Sequence, residues 1–430
     1  MLYLQSADGK FTKATTQPWT KHTASDALGA LFFDADGDQD PDLYMATGGS
    51  EFLAGDPKYQ DQLYINDGKG NFTASAGLPS MYSSTKAIAA GDWDKDGDLD
   101  LFVGSRNTPK KYPYPDKSFF LRNDGGKFID VTKEVWTESA QIGMIADAKF
   151  ADKDKDGDMD LLVCAAWLPP MWMINEGGKF TRAKSATLDA YAGSWNIVEV
   201  MDINGDGILD ILAGNAGTNN KFKASKDDSF IVVASDFDMN GKSDIVLATH
   251  FDGKEVPVRG RECSSQQLPY IKEEFPTYDG FAKASLEEII GKEKLKGSLR
   301  YELTEFNSGI FWGTADGDYR WEAFPPEAQF SPIVGFVVED VNGDGQPEVI
   351  AAGNLFDTEV ETTRYDAGQG VIMSWTKDGW VVHSPVETGF YAGGNVREFK
   401  PVKVKGKNGV LAARGNGQLS LYVFGQSIEN

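Results

Sequence analysis

Asp152-Lys153-Asp154-Lys155-Asp156-Gly157-Asp158-Met159-Asp160 runs straight into the apolar segment Leu161-Leu162-Val163-Cys164-Ala165. Carboxylates at alternate positions repel one another and cannot pack against apolar surface. Side-chain oxygens at positions 1, 3, 5 and 9, with a backbone carbonyl at position 7, are the donors that a hard cation of calcium size takes. Gly157, at position 6, allows the tight turn that lets those oxygens converge. The stretch therefore predicts a metal loop with ligands from Asp152, Asp154, Asp156, Asp158 and Asp160.

The pattern occurs six times. Asp34, Asp36, Asp38, Asp40 and Asp42 form the first loop, and Asp92, Asp94, Asp96, Asp98 and Asp100 the second. After the third come Asp202, Asn204, Asp206, Ile208 and Asp210, then Asp236, Asp238, Asn240, Lys242 and Asp244. Asp340, Asn342, Asp344, Gln346 and Glu348 form the last. At position 7 the backbone carbonyl is the expected donor, so Ile208, Lys242 and Gln346 serve there as well as an aspartate. Up to six structural calcium ions are expected.

Short apolar runs flank the loops, among them Ala30-Leu-Phe-Phe33 before the first and Leu101-Phe-Val103 after the second. Runs this short, rich in β-branched and aromatic residues and bounded by Gly and Asp, read as strands. A second phrase recurs between the loops: Leu63-Tyr-Ile-Asn-Asp-Gly-Lys-Gly-Asn-Phe72, Phe119-Phe-Leu-Arg-Asn-Asp-Gly-Gly-Lys-Phe128 and Met171-Trp-Met-Ile-Asn-Glu-Gly-Gly-Lys-Phe180. Looser copies begin at Ile310 and Val371. Asp-Gly and Gly-Gly between apolar runs are hairpin signals. Together the two phrases predict a four-stranded antiparallel unit.

The loops are spaced by 58, 60, 50, 34 and 104 residues, and repeats of roughly 40 to 50 residues are typical of propeller blades. The predicted fold is all-β: one β-propeller over residues 1–430, of seven blades with eight as the alternative. Segment 396–424 reads as a degenerate last blade without metal ligands, closed by segment 1–15. The fourth unit is short. The fifth is swollen by a partly helical insertion over 251–306, assigned between its strands and ahead of the hairpin at Ile310. Inside the insertion, Ser285 with Glu288 three residues on, and Leu286, Ile289 and Ile290 at helical spacing, predict a capped helix.

The formal charge of −23 is concentrated in the loops, whose six nine-residue windows hold 24 acidic residues and four lysines. No basic patch for nucleic acid remains. No run of about 18 apolar residues exists to span a membrane. Cys164 and Cys263 do not make a disulfide framework. Loops of this kind need near-millimolar calcium, which predicts an extracytoplasmic place, at the cell surface, in the periplasm or secreted. No signal segment is read at Met1-Leu-Tyr-Leu-Gln-Ser6, so a monomeric propeller within a longer surface protein is expected.

His22, His250 and His383 are scattered, and no spacing reads as zinc, a phosphate cradle or a nucleophile elbow. No catalytic residues and no further cofactor are assigned. A calcium-assisted polysaccharide lyase is the enzymatic alternative, with Arg259, Arg261, Tyr270 and Lys272 as its candidate residues. Trp167 and Trp172 could form a sugar-stacking platform or wedge between blades.

At these loops the chain resembles the FG-GAP or VCBS-type repeats of α-integrin headpieces and many secreted bacterial proteins. Asp202-Ile-Asn-Gly-Asp-Gly-Ile-Leu-Asp210 and Asp340-Val-Asn-Gly-Asp-Gly-Gln-Pro-Glu348 carry the likeness. The chain as a whole is similar to the propeller region of large Bacteroidetes-type surface proteins of the ASPIC/UnbV and cartilage-acidic-protein group. Arg259-Gly-Arg-Glu-Cys-Ser-Ser-Gln-Gln-Leu-Pro-Tyr270 supports that grouping. The resemblance implies a non-enzymatic module for adhesion or capture of a protein or glycan; a spacer with no ligand is the remaining alternative.

Overall fold

The computed structural model describes residues 2–14, 17–21, 26–359, 362–415 and 419–425. Among them lie seven antiparallel sheets of three or more strands and one separate two-stranded hairpin. The first sheet takes Asp26–Phe33, Asp42–Gly48, Gln62–Asn66 and Phe72–Ser75 in chain order, each paired with the next. The second (Thr85–Gly91, Asp100–Ser105, Phe119–Arg122, Ile129–Asp130) and third (Met144–Ala151, Asp160–Leu168, Met171–Asn175, Phe180–Arg182) repeat that order. So does the sixth, Gly335–Glu339, Glu348–Ala352, Val371–Thr376 and Gly379–His383. A last sheet has three strands, Val396–Val404, Lys407–Arg414 and Ser420–Val423.

The fourth and fifth units differ from their expected layout. Gly309–Gly313, the hairpin strand assigned to the fifth unit, pairs with Asp210–Gly214 and completes a fourth sheet with Ile197–Met201 and Tyr319–Ala323. The sheet bearing the fifth loop is nested inside the fourth, between its second and third strands. Its spatial order is Lys254–Pro257, Asp244–Phe251, Phe230–Ser235, Leu299–Leu303. The physical cause is the Asp252-Gly253 turn, both residues at positive φ (49° and 73°), which folds the chain straight back as a hairpin. Thus 251–306 contributes two strands as well as helices. The helix foreseen after Ser285 spans Leu286–Ile290 with a capping box, and Leu286, Ile289 and Ile290 bury against the nested sheet.

The first strands of the chain-ordered sheets pack in succession: Asp26–Phe33 on Thr85–Gly91, then Met144–Ala151, Ile197–Met201, Gly335–Glu339 and Val396–Val404. They approach too closely for a side chain at two positions. A Cβ on Gly29 would lie 2.1 Å from the carbonyl oxygen of Lys86, and one on Gly335 would lie 2.3 Å from Cβ of Phe399. Further out, aromatic and branched side chains fill the gaps between sheets. Phe102, Phe120 and Phe180 join the second sheet to the third, with Phe120 stacked on Phe180 at 4.7 Å. Ile310 and Trp312 join the fourth directly to Phe336 and Met373 of the sixth. The nested sheet packs outside that succession, Phe230 stacking on Trp167 of the third sheet.

The N-terminal hairpin, Tyr3–Gln5 with Phe11–Lys13, pairs with neither the first nor the last sheet. It bridges them instead. Gln5 Nε2 donates to the carbonyl of Lys403 at 2.8 Å, and Leu4 lies against Gly70 of the first sheet. Of the segments expected to close one blade, Met1, Thr15 and residues 416–418 lie outside the described residues, as does His22.

One buried carboxylate ties the first two sheets together. Asp61 accepts from Tyr44 Oη (2.7 Å), the Thr47 amide (2.7 Å) and Thr85 Oγ1 (2.6 Å), the last across the sheet interface. Burial outweighs these donors and pushes its carboxyl up to about 7. A folded value raised above the unfolded one favours the native state below the unfolded value, and that contribution is lost as pH rises through about 7. Between pH 4 and 7, wild-type stability measured against Asp61→Asn is expected to fall by about 3 kcal/mol. Urea melts of both proteins across that range read it; a flat difference would contradict the burial.

Candidate metal centre

All six loops join the first strand of a sheet to the second, so each sits at the same end of its sheet. They share one backbone form: positions 4 and 6 have φ between 60° and 99° in every copy. Glycine takes that region without strain, but Gln39, Lys95, Lys155 and Met239 also adopt it. Each costs about 1–2 kcal/mol, so the loop geometry is imposed by its surroundings. Position 4 was not singled out in the sequence because its residue varies.

The surroundings include an internal ladder. The position-1 carboxylate accepts the amide of position 6, as in Gln39 to Asp34 (2.9 Å), Gly157 to Asp152 (3.0 Å) and Gly345 to Asp340 (3.0 Å). Position 5 accepts the amide of position 7, as in Asp158 to Asp156 (2.7 Å) and Lys242 to Asn240 (2.8 Å). Position 9 anchors the whole. Asp42, Asp100, Asp160, Asp210, Asp244 and Glu348 are all buried, and each takes the amide of position 2 at 2.8–3.3 Å. In four loops its other oxygen accepts the amide that ends the third strand: Asn66, Asn123, Asn175 or Gly313. In the sixth loop the longer Glu348 reaches Ser374 Oγ instead.

The asparagines of that third strand were missed as site residues, although they recur in the hairpin phrase. Asn123 Nδ2 donates to the Leu99 carbonyl of its own loop (3.1 Å) and to the Ala35 carbonyl of the preceding one (2.9 Å). Asn175 repeats this with Met159 and Trp93. Each therefore staples one loop to the next.

Within this frame the expected ligands divide. Carboxylate oxygens of Asp34, Asp36 and Asp42 lie within 4.8 Å of one another, as do those of Asp152, Asp154 and Asp160, and of Asp236, Asp238 and Asp244. In the second loop the converging set is Asp92, Asp94 and Asp96. In the first and third loops the position-5 carboxylates, Asp38 and Asp156, fall outside these sets. Buried oxygens of Asp92 and Asp152, both Oδ1, have no hydrogen-bond partner. A cation is the partner that such lone pairs fit. Asp100, pushed up to about 7, and Asp210, to about 6, are raised mainly by burial, with neighbouring carboxylates adding. A divalent charge beside them reverses that balance.

The fourth and sixth loops bring no such trio together among the described residues. There Asn204 Nδ2 donates to Asp206 (3.0 Å), and Asn342 Nδ2 donates to Asp344 (3.0 Å) and Glu348 (2.9 Å). A cation at these sites requires the amide to turn over. Position-7 side chains point away from the loop centre: Asp98 and Asp158 accept the amides of Gly125 and Gly177 in adjoining hairpin turns (2.9 and 3.1 Å). Asp158 also pairs with Lys95 of the second loop, and Lys155 donates to the Gly207 carbonyl of the fourth at 2.6 Å.

Other candidate residues are absorbed in packing. Trp172 is buried with Nε1 on Tyr319 Oη (2.7 Å), and Trp167 is buried against Phe230, so neither forms a sugar platform. Arg261 donates to the Phe275 carbonyl, Lys272 pairs with Glu262, Tyr270 bonds Ile289, and Arg259 pairs with Glu359.

Positions 3 and 9 of the third loop are therefore expected to separate ligation from folding. Asp154→Asn changes metal-free stability by no more than about 0.5 kcal/mol, whereas Asp160→Ala strips two buried amides and costs about 2–4 kcal/mol without metal. Denaturation in a chelating buffer checks both values.

Residues 47–103 match the family model of an FG-GAP-like repeat. No curated protein matches the chain. Among solved structures, a chain of BBS1N in complex with ARL6DN, soaked with lead, is similar at 12% identity and a TM-score of 0.36, covering 93% of both chains. A chain of a cryo-EM structure of RAG in complex with one melted and one unmelted RSS is similar at 11% identity and a TM-score of 0.33, covering 93% of this chain and 95% of that one. The segment from Thr47 to Val103 thus resembles an FG-GAP-like repeat, and its loop, Asp92–Asp100, is one of six copies of the motif in an all-β chain whose sheets are mostly four-stranded.

Proposed function

We propose that this chain is a calcium-stabilised propeller module acting outside the cytoplasm, as a protein- or glycan-binding part of a longer surface protein of the ASPIC/UnbV type. The observation that carries the calcium assignment is the convergence of three carboxylates in each of four loops, with orphaned buried oxygens on Asp92 and Asp152. All-oxygen donor sets of this charge suit calcium better than a transition metal. The ions act as staples. Each loop joins two strands of one sheet, and the asparagine bridges hand the restraint to the next.

A non-enzymatic role is favoured because the side chains considered for a lyase are engaged in the helical segment and its neighbours. In the blade layout proposed here, six sheets surround the axis and the nested sheet rides outside them on the third. The expectation of seven blades counted six loop units and the degenerate last segment, and one of those loops lies in the nested sheet.

Occupancy of four sites at about 100 times their dissociation constant contributes about 2.7 kcal/mol each. For a chain of this size, excess EDTA is expected to lower Tm by on the order of 10 °C relative to millimolar calcium. Magnesium is expected to restore little of it. Scanning calorimetry in the three buffers is the test, and a Tm indifferent to EDTA would sink the calcium assignment.

A further inference from the structure

The succession of first strands stays open between its two ends. Nothing like the packing of Asp26–Phe33 on Thr85–Gly91 joins Val396–Val404 back to Asp26–Phe33. In the second sheet, Ile88 and Ala90 stand four and two residues ahead of the loop and pack on the first sheet. In the first sheet the same positions are Ala30 and Phe32. Both are exposed, Phe32 by half. Across the gap, Phe399, Val410 and Ala412 pack toward Val337 and Ile350 of the sixth sheet. Leu421 and Val423, which pair with Leu411 and Gly409, alternate with that set and so lie on the opposite face, exposed by 38% and 42%.

The N-terminal hairpin spans this gap at the rim. Gln5 stands in Leu2-Tyr-Leu-Gln5 where Asn66 stands in Leu63-Tyr-Ile-Asn66. Its bond to the Lys403 carbonyl (2.8 Å) runs as those of Asn123 and Asn175 do, from a third-strand amide to the first turn of the preceding sheet. On the other side, a Cβ on Gly70 of the first sheet would lie 3.1 Å from Leu4. The hairpin thus holds the third- and fourth-strand places of a unit between the last sheet and the first. In every chain-ordered sheet of four strands the third strand pairs with a second, whereas Tyr3–Gln5 pairs with Phe11–Lys13 alone. The Leu2 carbonyl accepts from Ala14 and the Ser6 amide donates to Lys10, so the backbone groups of Tyr3 and Gln5 face the open edge.

Charge narrows what fits. Lys403, Lys405 and Lys407 are exposed around the first turn of the last sheet and make no ion pair among the described residues. In the second and third loops the lysines reach forward to the loop of the following sheet. A turn that follows the last sheet in the same way meets three cations.

We infer that the gap between the last sheet and the first is a docking site for a strand–turn–strand segment of a protein partner, apolar on both faces and acidic at its turn. One strand of the segment adds to the open edge of Tyr3–Gln5, and its side chains cover Phe32 on one side and Leu421 and Val423 on the other. Apolar faces of this kind are otherwise left to water. The inference rests on the protein-binding reading and names the kind of partner.

The test titrates the intact, calcium-loaded chain with a synthetic peptide of residues 85–105, the strand–loop–strand that precedes the third sheet in the same way, with a scrambled peptide as control. Saturable one-to-one binding with a dissociation constant near ~100 µM or tighter, and a rise in Tm, are expected from the first peptide alone. Phe32→Asp and Leu421→Asp are each expected to weaken binding about tenfold or more. Both are expected to melt within about 2 °C of wild type without peptide, since the side chains are exposed, so loss of folding does not explain loss of binding. Lys405→Glu is expected to weaken binding more at low salt than at high salt. No saturation by ~1 mM peptide, equal binding of the scrambled peptide, or unchanged affinity in the Phe32 and Leu421 variants would overturn the assignment. So would a dimer in light scattering that Leu421→Asp dissolves, because the faces would then serve a second copy. The EDTA scan reads this chain's own loops without peptide, so failure there and failure here are distinguishable.

Discussion

A carboxylate withdrawn from water at position 9 of each loop is the constraint on which the sheets depend. Asp42, Asp100, Asp160 and Asp210 each accept one amide from their loop and one from the third strand. One side chain thereby fixes where the loop begins, where the second strand starts and how far the third is offset. A buried carboxylate is tolerated because it is satisfied on both oxygens, and its negative charge then attracts whatever cation the outer carboxylates gather. The sheet and the candidate metal centre thus share one anchor.

Charge is arranged around that anchor in layers. The outer carboxylates repel each other, and lysines from the preceding loop partly offset this. Lys95 reaches Asp158, and Lys155 reaches the Gly207 carbonyl. Exposed pairs of this kind contribute little individually. Their geometry matters more, since each lysine reaches forward to the following loop while the asparagines reach back to the preceding one, so neighbouring units are tied from both sides.

The loops and the strands around them were legible in the sequence because both are written in local chemistry: alternate acids, a turn, an apolar run. The asparagines at 66, 123 and 175 were visible as repeats but not as partners, since only the fold brings them to their acceptors: Asn66 reaches Pro41 of its own loop, and Asn123 and Asn175 reach the loop of the preceding sheet. The nested sheet was hidden for a different reason. Strand pairing between Asp210–Gly214 and Gly309–Gly313 depends on which exposed edge is open after the chain has wandered far away, and no local pattern records that. Asp252-Gly253 carried the missing clue, a two-residue hairpin signal inside a segment read as insertion.

The nested sheet also has a consequence for how the chain assembles. In the first and second sheets a short connection links the second strand to the third, whereas in the fourth the whole nested unit intervenes. That connection is longer by close to three doublings, so closing it costs about 2 kcal/mol more in chain entropy. The cost falls only if the intervening segment has already condensed. The nested unit has the means, with its own apolar cluster of Ile231, Val233, Phe237, Leu286 and Ile289 and its own loop. The fourth sheet therefore has a longer connection to close between its second and third strands than the first or second sheet, with a neighbouring unit held between its halves.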